Sequence, residues 1–291
     1  MAPARPIVFL TDYGLDDEFV GVCHGVIARI APDCRVIDLT HSVPPQDVTR
    51  GAVVLADAVP YMPPDAVYLA VVDPGVGTGR RGVALEAASG NVLVGPDNGL
   101  LSLAAERLGG VARAVEIRSP RVLLTPVSAT FHGRDVFAPA AAHVALGMPL
   151  RELGPELDGS DLVVLSLPRP KVRPGRVAAE VLSVDRFGNV ELNVREEDLA
   201  EAGLGPGAHV RVVGPRAGAM VTRATTFGDV PLGEYALIVD SRGWAAVVRN
   251  GGSAAESLGL GPEDRVVLEA ATEEGGPEPV GEGQGTGSRA G

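Results

Sequence analysis

The chain has 291 residues, of which 45% are hydrophobic and 21% charged, with a formal net charge of −12 and a pI near 4.9. That length can bury a substantial core in two domains, and the acidic balance leaves no basic footprint for nucleic acid or an anionic membrane surface. Among the 25 basic residues only Lys171 is a lysine, which argues against Schiff-base chemistry or a P-loop clamp. Cys23 and Cys34 are too few for a disulfide framework and lack metal-ligand spacing, as in a reduced cytosol. Only IVFL precedes the first polar cluster, and no segment is long and apolar enough for a bilayer, so a cytoplasmic protein without membrane partners is expected.

Apolar runs that end in polar, glycine-containing turns recur along the first half. PIVFL (6–10) ends at TDYGLDD, VYLAVV (67–72) at DPGVG, and NVLVG (91–95) at PDNG, which opens the helical pattern LLSLAAERLG. This punctuation predicts an α/β domain over 1–166 with a mostly parallel central sheet buried on both faces. Residues 167–175, LPRPKVRPG, read as a linker. Beyond it, RVAAEVLSV, NVELNV, HVRVV and YALIVDSRGWAAVVRN alternate as short strands, which predicts a small antiparallel β-barrel over 176–271. Residues 272–291 are rich in Gly, Glu and Pro without an apolar period, and are expected to be a disordered tail.

Three polar clusters sit at predicted strand or helix ends, where open α/β sheets place ligands. TDYGLDDE brings Asp12, Asp16, Asp17 and Glu18 to the end of the first strand. Several carboxylates suit a divalent cation, and the stretch resembles the opening of calcium-dependent nucleoside hydrolases. The leading acid of that pattern falls on Leu10, however, so no metal site is assigned. Asp12 alone can accept hydroxyls from a ribose diol, with Asp16, Asp17 and Glu18 favouring a helix N-terminus. VVDPGVGTGRR sets Asp73 behind a buried run, with Arg80 and Arg81 beyond a glycine loop. TFHGRDVFAPAAAHVALG carries a helical stripe, Phe137, Ala140, Ala141, Val144 and Ala145, which puts His132 at the helix start. There the helix dipole favours neutral imidazole. His24, His41, His143 and His209 lack that setting.

The ordered set TDYGLDDEFVG, HSVPPQD, VVDPGVGTGRR, GPDNGLL, FHGRD, DRFGN and SRGW with RN resembles the S-adenosylmethionine hydroxide adenosyltransferases, relatives of the fluorinating and chlorinating enzymes. The resemblance runs from about residue 6 to about residue 270. It implies an α/β domain joined to a β-barrel, a homotrimer with S-adenosylmethionine bound between subunits, and displacement of methionine from ribose C5′ by water or hydroxide. No cofactor is implied, since S-adenosylmethionine is the substrate. The family's catalytic Asp, Arg and His fall on Asp73, Arg80 and His132. Its ribose-binding aspartate falls on Asp12, its methionine-holding positions on Asp185, Ser241 and Arg242, and its adenine-pocket positions on Phe187, Asn189, Phe227 and Gly251.

The leaving group is a neutral thioether, so the chemical difficulty lies in the nucleophile. Water must be positioned and relieved of a proton. His132 is the expected base, with Asp73 orienting it or the water and Arg80 stabilising developing hydroxide. Asp73 and His132 both remain open as the proton acceptor, and Arg81 rivals Arg80. In the halogenating relatives the positions of Asp73 and His132 are tyrosines, and Gly133 is a serine in the fluorinating enzyme. A carboxylate beside a halide costs binding energy, so Asp73 argues against halogenation. Gln46 stands where the fluorinating enzyme has a tryptophan. A metal-dependent nucleoside hydrolase and a non-catalytic S-adenosylmethionine-binding protein are the alternatives.

Overall fold

The computed structural model describes residues 3–271, so the tail expected from Thr272 lies outside the described residues. The chain packs as two compact units that divide between Leu167 and Pro168.

The first unit holds seven strands, β1 (Ile7–Thr11), β2 (Val36–Thr40), β3 (Val67–Val71), β4 (Gly82–Ala87), β5 (Val92–Pro96), β6 (Val111–Glu116) and β7 (Glu156–Leu157). They form one sheet in the order β2-β1-β3-β5-β4-β6-β7. The pairs β1/β2, β1/β3 and β3/β5 are parallel, whereas β4, β6 and β7 join antiparallel. Every residue of β1, β3 and β5 is buried, because helices cover both faces. Alternate side chains divide between those faces. Ile7, Phe9, Leu69 and Val71 pack with α1 (Phe19–Ile30) and the later Ala138–Ala145 helix. Val8, Leu10, Tyr68 and Ala70 pack with α2 (Val48–Ala58) and α3 (Ser102–Arg107). The Ala138–Ala145 helix is α4.

From β1 the chain crosses to β2 on one side, then returns to β3 on the other side of β1. A topological switch point therefore lies between the C-terminal ends of β1 and β3, whose last residues, Thr11 and Val71, are in register. Asp12 and Asp73 follow these two strands, and α2 begins beside them, capped by Asp47, whose side chain accepts from the Arg50 N–H at 2.8 Å.

The second unit contains β8 (Lys171–Arg173), β9 (Arg176–Val184), β10 (Val190–Arg195), α5 (Glu196–Glu201), β11 (His209–Val213), β12 (Gly218–Arg223), β13 (Tyr235–Val239), β14 (Trp244–Arg249), α6 (Ala254–Leu258) and β15 (Arg265–Ala270). Seven strands close a ring in the order β10-β14-β13-β12-β11-β15-β9, because β9 also pairs with β10. Closure leaves no free edge in the ring. Along β9, Val177, Ala179, Val181 and Ser183 face inward by strict alternation. Two features depart from the expected linker and purely antiparallel barrel. Lys171–Arg173 forms a strand that folds back onto β9, since Pro174 and Gly175 make a tight turn. The β12/β13 pair is parallel, because a crossover loop rather than a hairpin joins them.

Candidate active site

Asp73, Arg80 and His132 meet at the end of β3. The loop between the first two turns back on itself, with the Thr78 hydroxyl donating to the Gly75 carbonyl at 2.7 Å and the Arg80 N–H donating to Thr78 Oγ1 at 3.3 Å. Arg80 then forks onto Asp73, its Nε at 2.8 Å from Oδ1 and a terminal nitrogen on Oδ2. Both side chains are largely buried, at 11% and 7% exposure, and the guanidinium lies 5.0 Å from the Phe137 ring centre. The same terminal nitrogen of Arg80 sits 3.0 Å from His132 Nδ1.

His132 caps the widened turn Gly133–Phe137 that leads into α4. Its loop is held by the buried Asp135 carboxylate, which pairs with Arg134 at 2.7 Å and accepts the Ser128 N–H at 2.8 Å. Burial, and after it the Arg80 charge, hold the His132 imidazole below its ordinary value of 6.5. A guanidinium has no acceptor, so His132 Nδ1 must accept from Arg80 and the neutral ring carries its proton on Nε2. In that tautomer Nε2 offers a donor and the lone pair of Nδ1 is taken up by Arg80.

Asp73 and His132 open onto a cleft of about 220 Å³ that Asp12, Tyr13, Phe19 and Gln46 also line, among others. Of the acids in TDYGLDDE only Asp12 reaches it, for Asp16, Asp17 and Glu18 are exposed ahead of α1 and Leu10 is fully buried. Asp12 Oδ2 accepts the Gln46 N–H at 2.8 Å, so Asp12 does not offer two empty oxygens to a diol. Outside the cleft lining, His24, Asp38 and His41 bring their ligand atoms within 4.8 Å of one another. A hydrogen-bond chain links these groups. The Tyr13 N–H donates to Thr11 Oγ1, which meets His41 Nδ1 at 2.8 Å, and both imidazole Nε2 atoms contact Asp38 Oδ1.

In the second unit, Asp185, Phe187 and Asn189 share the β9–β10 turn. Asp185 Oδ1 accepts the N–H groups of Phe187 and Asn189 at 2.8 and 3.0 Å, and Oδ2 accepts the Asn189 side chain at 2.8 Å. This leaves Phe187 75% exposed. Gly251 follows β14, near Leu232, and Ser253 two residues on packs against Gly188 of the same β9–β10 turn. Phe227, 47% exposed, lies in the β12–β13 crossover, whose Val230 carbonyl accepts the Asn250 side chain at 2.8 Å. Ser241 and Arg242 lie apart from these, on the β13–β14 turn at the other end of β14. Arg242 pairs with Asp240 at 2.7 Å and with Glu191.

A family model described as the SAM hydroxide adenosyltransferase N-terminal domain matches residues 7–154, and one for its C-terminal domain matches residues 179–267. The chain belongs to the SAM hydroxide adenosyltransferase family. It is 54% identical to the (R)-S-adenosyl-L-methionine hydrolase of Salinispora tropica, over 93% of this chain and 100% of that one. It is 45% identical to the hydrolase of that name from Thermus thermophilus, over 88% and 96%. A solved structure of a conserved protein from Thermotoga maritima superposes with a TM-score of 0.84 at 38% identity, over 90% and 99%.

Within the stretch VVDPGVGTGRR the two arginines separate cleanly. Arg81 turns away from His132 to pair with Asp97, at 2.9 Å and 2.5 Å, and with the Asp161 carbonyl. Arg81→Ala is therefore expected to keep kcat within about threefold while lowering Tm, since it strands the buried Asp97. Arg80→Ala is expected to cost far more in rate, and the reverse order in steady-state kinetics would exchange their roles. Sequence reasoning passed over Tyr13, Phe19, Val76, Thr130 and Phe131 as cleft residues. Tyr13 and Phe131 flank predicted residues and could have been found by adjacency, whereas Phe19 reads as an ordinary apolar position of α1.

Proposed function

We propose that the chain hydrolyses S-adenosyl-L-methionine at ribose C5′, giving adenosine and L-methionine. The observation that carries this reading is the Asp73–Arg80–His132 cluster at the switch point, with Asp12 in the same cleft. Water attacks C5′ through one lone pair, the C5′–S bond breaks with its electrons going to sulfur, and one water proton is released. Asp73 is the acceptor of that proton: its carboxylate lines the cleft, and each oxygen keeps a second lone pair beside its bond from Arg80, whereas the single lone pair of His132 Nδ1 is taken by Arg80 and Nε2 carries a proton. His132 Nε2–H donates to the water oxygen and holds it in line for attack on C5′. Arg80 fixes both partners. Asp12 accepts one ribose hydroxyl beside its bond to Gln46.

Asp185, Ser241 and Arg242 supply polar groups for the amino-acid end of the substrate, and Phe187, Asn189, Phe227 and Gly251 bound the adenine. Arg242 is already paired with two carboxylates, so it takes the methionine carboxylate as a third partner of a shared network. The working form is a homotrimer with its sites between subunits, in the cytoplasm, without a cofactor and without nucleic-acid partners. Among the described residues no helix is long and apolar enough to cross a membrane.

Protein incubated with S-adenosylmethionine in ¹⁸O-water with a chelator should yield methionine and adenosine labelled at the 5′-oxygen. Added chloride should yield no 5′-chloroadenosine, and its appearance would overturn the role of Asp73. Free adenine would indicate a nucleoside hydrolase, and bound, unreacted ligand a binding protein.

Acid should switch the site off through His132. Protonation places an N–H at Nδ1 against the Arg80 donor, so activity is lost as pH falls through the depressed His132 pKa and is full above it. The acid limb of kcat/KM is therefore expected below 6.5. A limb above that value would assign the titration to another group.

A further inference from the structure

The mechanism above leaves Tyr13 without a task, although the strand end that places Asp12 also places its side chain. The ring is wedged between Phe19 and Phe131, with centroid separations of 5.8 and 5.9 Å. Its backbone N–H is bound to Thr11 Oγ1 at 3.2 Å, while its hydroxyl has no hydrogen-bond partner among the described residues. That hydroxyl stands over Gly133, next to His132. A β-carbon on Gly133 would fall 2.1 Å from the phenol oxygen and 3.1 Å from Cζ, so only glycine admits the phenol here. Tyr13 and Gly133 line the same cleft as Asp73 and His132. Burial, followed by surrounding charge, raises the phenol pKa, so the group stays neutral and keeps both a donor and an acceptor.

An attacking water has four directions to satisfy. One lone pair faces C5′, the other accepts from His132 Nε2–H, and one proton goes to Asp73. The proton that the water keeps still needs an acceptor, and a water free to swing that proton about loses its aim at carbon.

We propose that Tyr13 is the fourth partner of the nucleophilic water, its phenol oxygen accepting the proton that the water retains and so fixing the orientation of the attacking lone pair. The proposal rests on the hydrolysis reading and adds a residue that touches the reacting water. Gly133 is its steric counterpart, the bare backbone that makes room for the phenol.

The test is a kinetic cycle on the full chain with S-adenosylmethionine. Tyr13→Phe keeps the ring between Phe19 and Phe131 and should lower kcat by roughly 10- to 100-fold, with KM and the calorimetric affinity for adenosine within about threefold. Gly133→Ala should lower kcat comparably by displacing the phenol. In the double variant the Gly133 substitution should cost little more, because the 2.1 Å contact is gone and only ring contacts at 3.1 and 3.4 Å remain. Unchanged kcat in Tyr13→Phe would overturn the proposal, as would strictly additive losses or a loss confined to KM and Tm. Wild-type protein that makes no adenosine would overturn the hydrolysis reading and this proposal with it. Wild-type turnover beside a fully active Tyr13→Phe would overturn this proposal alone.

Discussion

Asp73→Asn is expected to lower turnover of S-adenosylmethionine by roughly 10²- to 10⁴-fold while leaving ligand affinity within a few fold. The substitution keeps the shape of the side chain and one oxygen to accept from Arg80 Nε, which lies 2.8 Å from Asp73 Oδ1. What it removes is the carboxylate that takes the water proton. Neither of its neighbours can take over. His132 Nδ1 is occupied by Arg80, and Arg80 has no acceptor. A stability cost accompanies the rate loss, because the Arg80 side chain is 11% exposed and loses its counter-charge, so melting curves belong beside the kinetics. Stopped kinetics with full calorimetric binding of S-adenosylmethionine is the expected outcome. Equal losses of affinity and rate would place Asp73 on the nucleoside instead of the water.

Gly77→Ala should lower kcat by about 10²-fold although Gly77 offers no functional group. Gly77 sits at a φ of +77°, and a β-carbon there would come within 2.5 Å of the Ala129 carbonyl oxygen. The left-handed conformation alone costs a non-glycine residue roughly 1–2 kcal/mol. The contact is with backbone, so it is relieved only by separating the loop 73–80 from the loop that carries His132. The 3.0 Å contact between Arg80 and His132 is the bond most exposed to that separation. Loss of kcat with little change in KM is expected, together with a lower Tm. Wild-type kcat in this variant would mean that the packing of these two loops does not set the water site.

Asp73 and Gly77 stand on a loop between secondary-structure elements, where local sequence preference gives way to tertiary packing. The βαβ alternation, the switch to short strands after residue 165 and the placement of Asp12 and Asp73 at strand ends were all legible in the sequence. Each rests on periodicity and turn chemistry within a few neighbouring residues, and such local preferences act before any distant contact forms. The parallel β12/β13 pair and the strand at Lys171–Arg173 were not legible, because pairing depends on which distant edge is available.

The sequence by itself determined that a carboxylate, two arginines and a histidine are present, and that collinear motifs join them to one family. Tertiary structure alone decided how they divide. Arg80 and Arg81 are chemically identical and adjacent, but successive side chains entering a strand point to opposite sides, so one meets His132 and the other Asp97. The protonated nitrogen of His132 follows from an arginine 52 residues away. The phenol of Tyr13 finds its place because Gly133, from a loop far along the chain, leaves room for it. Each of these is a contact between distant parts of the chain, settled only when the packed core fixes where both loops stand.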